Sequence, residues 1–217
     1  MTIGVAVPCY SGHVHYIPSL LDNIANSTRK PDEIVISCSS SDNDRIQYFL
    51  HEDIPVRIWY STQRLNQSMN RNRAAKLLNT DLISFLDADD LMHPKRIDYI
   101  CQAFESRPDI SAIYHSYSRD LITKREDPFW DEPELKMLPS RVIKNPNALG
   151  LLVESDISLP IHHAHVTIRK EVMNRVHFNE SWDVYRLEDA VYAGDLVANN
   201  IPLMYLNNRL SRYIFIG

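Results

Sequence analysis

The sequence predicts an α/β fold: a mostly parallel central sheet flanked by helices, with a smaller mixed region after it. Three observations carry that expectation. Short β-branched runs end in turn-type residues, stretches with helical spacing separate them, and the alternation continues to about residue 120.

The chain begins with "IGVAVPCY" (3–10), an apolar run typical of a buried strand. "IPSLLDNIANSTRK" follows, with Leu20, Leu21, Ile24 and Ala25 at helical spacing, and "DEIVISCS" (32–39) supplies the second strand. "DNDRIQYFLHED" (42–53) is expected to be a second helix and "VRIWYS" (56–61) a third strand. "NQSMNRNRAAKLLNT" offers Met69, Ala74, Leu77 and Leu78 as the apolar positions of a third helix. "DLISFLD", "HPKRIDYICQAFESR" and "ISAIYHSYS" then continue as strand, helix and strand. Ligands of such sheets lie outside the carboxyl ends of the strands, so the loops there are candidate site elements.

After residue 120 the character changes. "KREDPFWDEPELKMLPSRVIKNPN" holds four prolines, many charges and no sustained period. A stretch so long and irregular is either functional or a plain surface excursion. "HAHVTIRKEVMNRV" is expected to run from a strand into a helix, "RLEDAVYAGDLVANN" to form a further helix, and "PLMYLNNRLSRYIFIG" to supply closing strands. The sequence stops on an apparent strand, which fits a domain cut from a longer protein.

Bulk properties exclude several classes. Hydrophobic content of 44% and charged content of 24% are those of an ordinary globular protein long enough to bury a core. A net charge of -5 gives no footprint for nucleic acid. No apolar run approaches the ~20 residues of a membrane span. The start lacks the basic residues and long apolar stretch of a signal peptide. Cys9, Cys38 and Cys101 are odd in number and widely spaced, without zinc or CxxC patterns, so a reducing, cytoplasmic setting is expected.

The chemistry concentrates in "LISFLDADDLMHP" (82–94), where an apolar run ends in Asp87, Ala88, Asp89 and Asp90. Hard cations such as Mg2+ or Mn2+ take one or two carboxylates, with phosphate oxygens and water completing the shell. Two carboxylates flanking a small alanine at a strand end suit that purpose. The alternative is a helix cap, for which Asp is favoured and Pro94 would follow in the first turn. One cap needs one aspartate, however, and three clustered acids repel one another unless a cation relieves them.

"VAVPCYSG", "EIVIS", "NRNRAAKLLNTDLISFLDADDLMHP" and "RLEDAVYAGDL" together resemble a family 2 glycosyltransferase of the GT-A fold. Their order and spacing match across nearly the whole chain, and the central block is the specific part. The resemblance implies one GT-A domain over residues 1–217. Its half to about residue 120 would bind a nucleotide sugar, and residues 121–217 would form the acceptor and catalytic half. It implies transfer of a sugar, with inversion, from a nucleotide-diphosphate donor, UDP-linked, to a glycan or other hydroxyl acceptor. Asp89 would be the direct metal ligand, with Asp87 also at the metal and near the ribose or donor sugar. Pro8, Cys9, Tyr10 and Ser11 would meet the base and ribose.

Further residues follow from the same resemblance. Where the family usually has an acid after the second strand, this chain has Ser39, with Asp42 three residues later, and a serine accepts a weaker hydrogen bond. Of Arg71 and Arg73, Arg71 is favoured for the donor, since an arginine fork suits phosphate. Asp189 would be the general base and Glu188 would position the acceptor, although acids also belong in a first helical turn for electrostatic reasons. His163 and His165 share a strand face opposite His162. His163 is the candidate for the donor's sugar, a phosphate or the metal. Many relatives carry a further histidine near the C-terminus; "RYIFIG" has none. Phe129 and Trp130 could stack on an acceptor sugar. Two rivals remain: a non-catalytic nucleotide-sugar-binding domain, and a sugar nucleotidyltransferase. The latter would want a Gly-rich basic loop, and "PCYSGHVHY" has one glycine and neither Lys nor Arg.

Overall fold

A computed structural model describes residues 1–120, 141–143, 165–185 and 187–214. Ten strands form one sheet among these residues: β1 (Ile3–Tyr10), β2 (Glu33–Ser39), β3 (Arg45–His51), β4 (Ile54–Tyr60), β5 (Leu82–Phe85), β6 (Leu91–Met92), β7 (Ala112–Asp120), β8 (Arg141–Ile143), β9 (Val166–Arg169) and β10 (Leu203–Ile214). The order is β3-β4-β2-β1-β5-β9-β7-β10-β6, with β8 also paired to β10. The run β4-β2-β1-β5 is parallel. Beyond β5 the sheet is mixed, because β9 enters antiparallel to both β5 and β7. The expected α/β architecture is therefore present, with its mixed region on the C-terminal side.

Among the described residues four α-helices cover the sheet: α1 (Ile17–Ala25), α2 (Gln67–Leu77), α3 (Arg96–Ser106) and α4 (Glu188–Ala198). α1 and α3 pack on one face, where Ile17, Leu20, Leu21 and Ile24 meet Val5, Val7, Ile34 and Ile36. Burying those four α1 side chains is worth roughly 6–12 kcal/mol before conformational entropy is subtracted. A nine-residue helix would not persist in water without such packing. α2 and α4 pack on the other face through Ala74, Ala75, Tyr192 and Leu196. Small residues let α2 approach closely: a Cβ on Gly4 would lie 2.5 Å from Leu78 Cδ2.

One expected helix is a strand. Residues 45–51 form β3, an edge strand antiparallel to β4, instead of the helix predicted over 42–53. Glu52 and Asp53 both have positive φ, 48° and 68°, as a two-residue hairpin turn requires. The alternation then places Ile46, Tyr48 and Leu50 together on an exposed face, with relative exposures of 51%, 67% and 71%. Two smaller differences lie nearby. The helix expected after the strand at 166–169 is a short 3-10 turn, Lys170–Asn174. α3 begins only at Arg96, after β6, and its N-cap residue is Lys95. None of the aspartates caps it.

Candidate active site

The acidic turn opens onto a cavity of about 540 Å³ at the carboxyl ends of β1 and β5. β1 contributes Pro8, Cys9 and Tyr10; the turn after β5 contributes Asp87, Ala88 and Asp89; the N-terminal half of α2 contributes Asn70 and Arg71. Seven sequence-selected residues thus share one cavity. Ser11 begins the 3-10 helix that follows β1 and is exposed outside the lining.

α2 explains how a polar stretch becomes helical here. Asn66 caps it, its side chain accepting from Met69 N at 2.9 Å. The helix then buries Ser68, Asn70, Arg71 and Asn72 ahead of the apolar Ala74 and Ala75. Each polar group needs partners at such depth, and Asn70 and Asn72 find them. Asn72 donates to the Phe178 carbonyl at 2.8 Å and to Glu180 Oε1 at 2.9 Å. Asn70 donates to Ser39 Oγ at 3.0 Å and receives Ser37 Oγ at 2.7 Å.

Arg71 is the centre of the site. It is fully buried. Its Nη2 donates to both oxygens of Asp87, at 2.9 and 3.1 Å, and its Nη1 to Glu188 Oε1 at 3.3 Å. The guanidinium also lies over the Phe178 ring, 5.4 Å from its centroid. One arginine thereby joins the acidic turn to the first residue of α4. Arg73, two residues on, turns elsewhere: it donates to Ser37 Oγ at 2.8 Å and stacks over Trp59 at 4.7 Å.

The acids divide by direction. Asp87 is drawn to Arg71, while Asp89 is partly exposed at the cavity, 4.0 Å from His13 Nδ1. Asp90 turns inward, is fully buried and accepts from Ile214 N at 3.3 Å. Burial first, and then the charges of Asp87 and Asp89, raise its pKa well above the carboxylate range. Behind it Arg96 donates to Ser211 Oγ, Ser84 Oγ and the Phe85 carbonyl at 2.7–3.1 Å, and burial lowers its pKa to about 9.

Other selected residues are less central. Ser39 is buried, donating to the Leu65 carbonyl at 3.4 Å, and its neighbour Ser40 lines the cavity instead. Cys9 and Cys38 are register partners on β1 and β2. Hydrogen bonding to Cys38 and burial raise the Cys9 pKa strongly, so this wall thiol stays protonated. Asp189 lies in the first turn of α4, its Oδ1 accepting from Ala190 N at 2.8 Å. His165 is buried beside Tyr117, with rings stacked at 4.4 Å. His162, His163, Phe129 and Trp130 lie outside the described residues. The sequence reading missed His13, Trp182 and Tyr185, all of which line the cavity. For the aromatics a signal existed: "SWDVYRLED" sets two rings just ahead of the acids of α4.

A divalent ion fits this donor set. Among the described residues no three or more His, Cys, Asp or Glu side chains form a ready metal cage. Mg2+-type sites seldom need one, since substrate phosphates and water supply most ligands around one or two carboxylates. Asp89 meets that requirement.

A strand order of this kind, with an acidic turn at the carboxyl edge of a parallel half-sheet, defines a GT-A-type α/β protein. The chain matches the Glycosyl transferase family 2 profile over residues 4–176, and it belongs to that family. An uncharacterized glycosyltransferase of Haemophilus influenzae is 25% identical over 56% of this chain and 41% of its own length. Protein CgeD of Bacillus subtilis is 23% identical over 77% of this chain and 39% of its own. The chain thus spans about two fifths of these curated relatives. Among solved structures, S. aureus TarS 1-349 in complex with UDP-GlcNAc superposes with a TM-score of 0.69 at 16% identity, covering 100% of this chain and 59% of that one. The mannosyltransferase PcManGT from Pyrobaculum calidifontis, in complex with GDP-Man and Mn2+, gives 0.65 at 16% identity, covering 99% and 57%. These similarities concern the fold.

Proposed function

We propose that this chain binds a nucleotide sugar, UDP-linked, and transfers the sugar with inversion to a hydroxyl of a glycan or other acceptor, using Mn2+ or Mg2+. Residues to about 120 would hold the donor and residues 121–217 the acceptor. One observation carries the proposal: Asp87, Asp89, Arg71 and the end of β1 converge on one cavity, and the same arginine holds Glu188. An acidic turn serving only to start a helix would need neither the cavity nor the buried arginine. The fold similarity to TarS, seen with UDP and UDP-GlcNAc, supports the donor class, and PcManGT makes a GDP-sugar the natural comparison.

The chain's own groups then have definite tasks. Asp89 would hold the ion, which when bound would supply Lewis acidity to the departing diphosphate. Arg71 fixes Asp87 beneath the donor and fixes Glu188 at the start of α4, so both carboxylates are preorganised. Tyr10, 47% exposed, offers a ring to the nucleotide. Asp189, next to Glu188, takes the proton of the acceptor hydroxyl as its oxygen bonds to the anomeric carbon. A single displacement of this kind inverts that carbon.

The test is calorimetric titration of UDP- and GDP-sugars, with and without Mn2+, against wild type and Asp89→Ala. Metal-dependent binding of one donor, lost in the variant, is expected. Binding indifferent to metal and to the substitution would overturn the proposal. Metal-dependent binding without hydrolysis or transfer would make the chain a binding domain rather than an enzyme.

A further inference from the structure

His13 has no part in the reaction proposed above. It lies on the 3-10 helix Ser11–Tyr16 that follows β1, and it lines the cavity beside Asp89. Two tyrosines hold its ring, with centroids 4.3 Å away for Tyr10 and 5.4 Å for Tyr16. Its Nδ1 faces Asp89 Oδ1 at 4.0 Å, and each side chain is 28% exposed.

That separation is informative. It exceeds the ~2.7–3.2 Å of an N–H···O hydrogen bond. It falls within the range open to two ligands of a single ion: with bonds of about 2.1 Å, cis ligands stand about 3.0 Å apart and trans ligands about 4.2 Å, and the observed gap lies near the latter. An imidazole nitrogen and a carboxylate oxygen therefore confront each other across an ion-sized gap. Ring packing already restricts the histidine, so little rotamer freedom is left to lose on binding.

We infer that His13 is, with Asp89, a protein ligand of the divalent ion; the inference rests on the metal-dependent reading above. Nδ1 supplies the lone pair when Nε2 carries the ring proton. Imidazole suits transition metals, whereas Mg2+ keeps to oxygen and water. This ligand therefore makes the site prefer Mn2+ over Mg2+.

The experiment uses Mn2+ and inorganic pyrophosphate, a probe that brings no nitrogen of its own. Mn2+ binding is measured by paramagnetic resonance for wild type, His13→Ala, His13→Gln and Asp89→Ala, with thermal midpoints to verify folding. Electron spin-echo spectra then test for a nitrogen bonded to the ion. In the wild type, nitrogen modulation is expected. In both His13 variants it should vanish, with Mn2+ affinity falling about tenfold or more and Mg2+ affinity changing less than about threefold. Modulation that survives in both variants would overturn the inference. So would its absence from wild type while Asp89→Ala still abolishes Mn2+ binding, an outcome that leaves the metal-dependent reading standing. Failure of wild type to bind Mn2+ at all, with Asp89→Ala no different, would overturn both.

Discussion

Two fully buried arginines flank the same acidic turn, and their surroundings differ in kind. Arg71, at the cavity floor, is held by the carboxylates of Asp87 and Glu188. Arg96, behind the turn, is held by two serine hydroxyls and a backbone carbonyl. Charged partners fix geometry strongly but punish the loss of any member, because a buried charge then stands alone. Hydroxyl and carbonyl acceptors carry less of that hazard. The difference marks out the working side of the turn: carboxylates hold the arginine where a ligand arrives, and hydroxyls and a carbonyl hold the one behind it.

Substitutions can break or sharpen this contrast. Arg71→Met should cost the most, about 3–5 kcal/mol in urea denaturation, since it strands both Asp87 and Glu188. Donor binding should be lost as well. Arg96→Met should cost less, about 2–3 kcal/mol, because the acceptors that lose their donor include two hydroxyls and a carbonyl in place of the two carboxylates around Arg71. Nucleotide-sugar affinity should then stay within about threefold of wild type at temperatures where the variant is folded. Equal stability losses in the two variants would erase the distinction. Asp90→Asn should have the smallest effect, and of opposite sign. The native carboxyl of Asp90 has a raised pKa, so the folded state binds more protons than the unfolded one above the ordinary value near 3.9. Wild-type stability therefore falls as pH rises from about 4 toward the raised pKa. The amide removes that loss, so the variant should be more stable near pH 7 and match wild type below about pH 4. A pH-independent difference between the two would contradict the buried, proton-binding role.

Legibility from sequence followed the physics of each segment. β1, β2 and β5 were plain because strands buried on both faces must be continuously apolar. β3 was not. Its seven residues are mostly exposed, the "DND" ahead of it mimics a helix start, and its turn uses Glu52 and Asp53 without the glycine that usually signals a hairpin. β6, two residues long, has no periodicity to detect. Within the site, the aspartates were visible as charges ending an apolar run, and Arg71 through the family resemblance. His13 was not, because its partner Asp89 lies seventy-six residues away and only the fold brings them together. Ser39 and Ser40 illustrate the limit of register: adjacent serines are equivalent on paper, yet one is interior and the other lines the cavity.

The closure of the acidic turn has a consequence for synthesis. β6 pairs with residues 211 and 212 of β10, His93 N donates to the Leu210 carbonyl, and Asp90 accepts from the backbone of Ile214. The aspartates leave the ribosome long before the strand that secures them, 124 residues separating Asp90 from Ile214. At about 5–20 residues per second, the nascent turn waits at least several seconds for its last support. Nascent chains arrested before β10 should carry the early parallel strands but not a finished cavity.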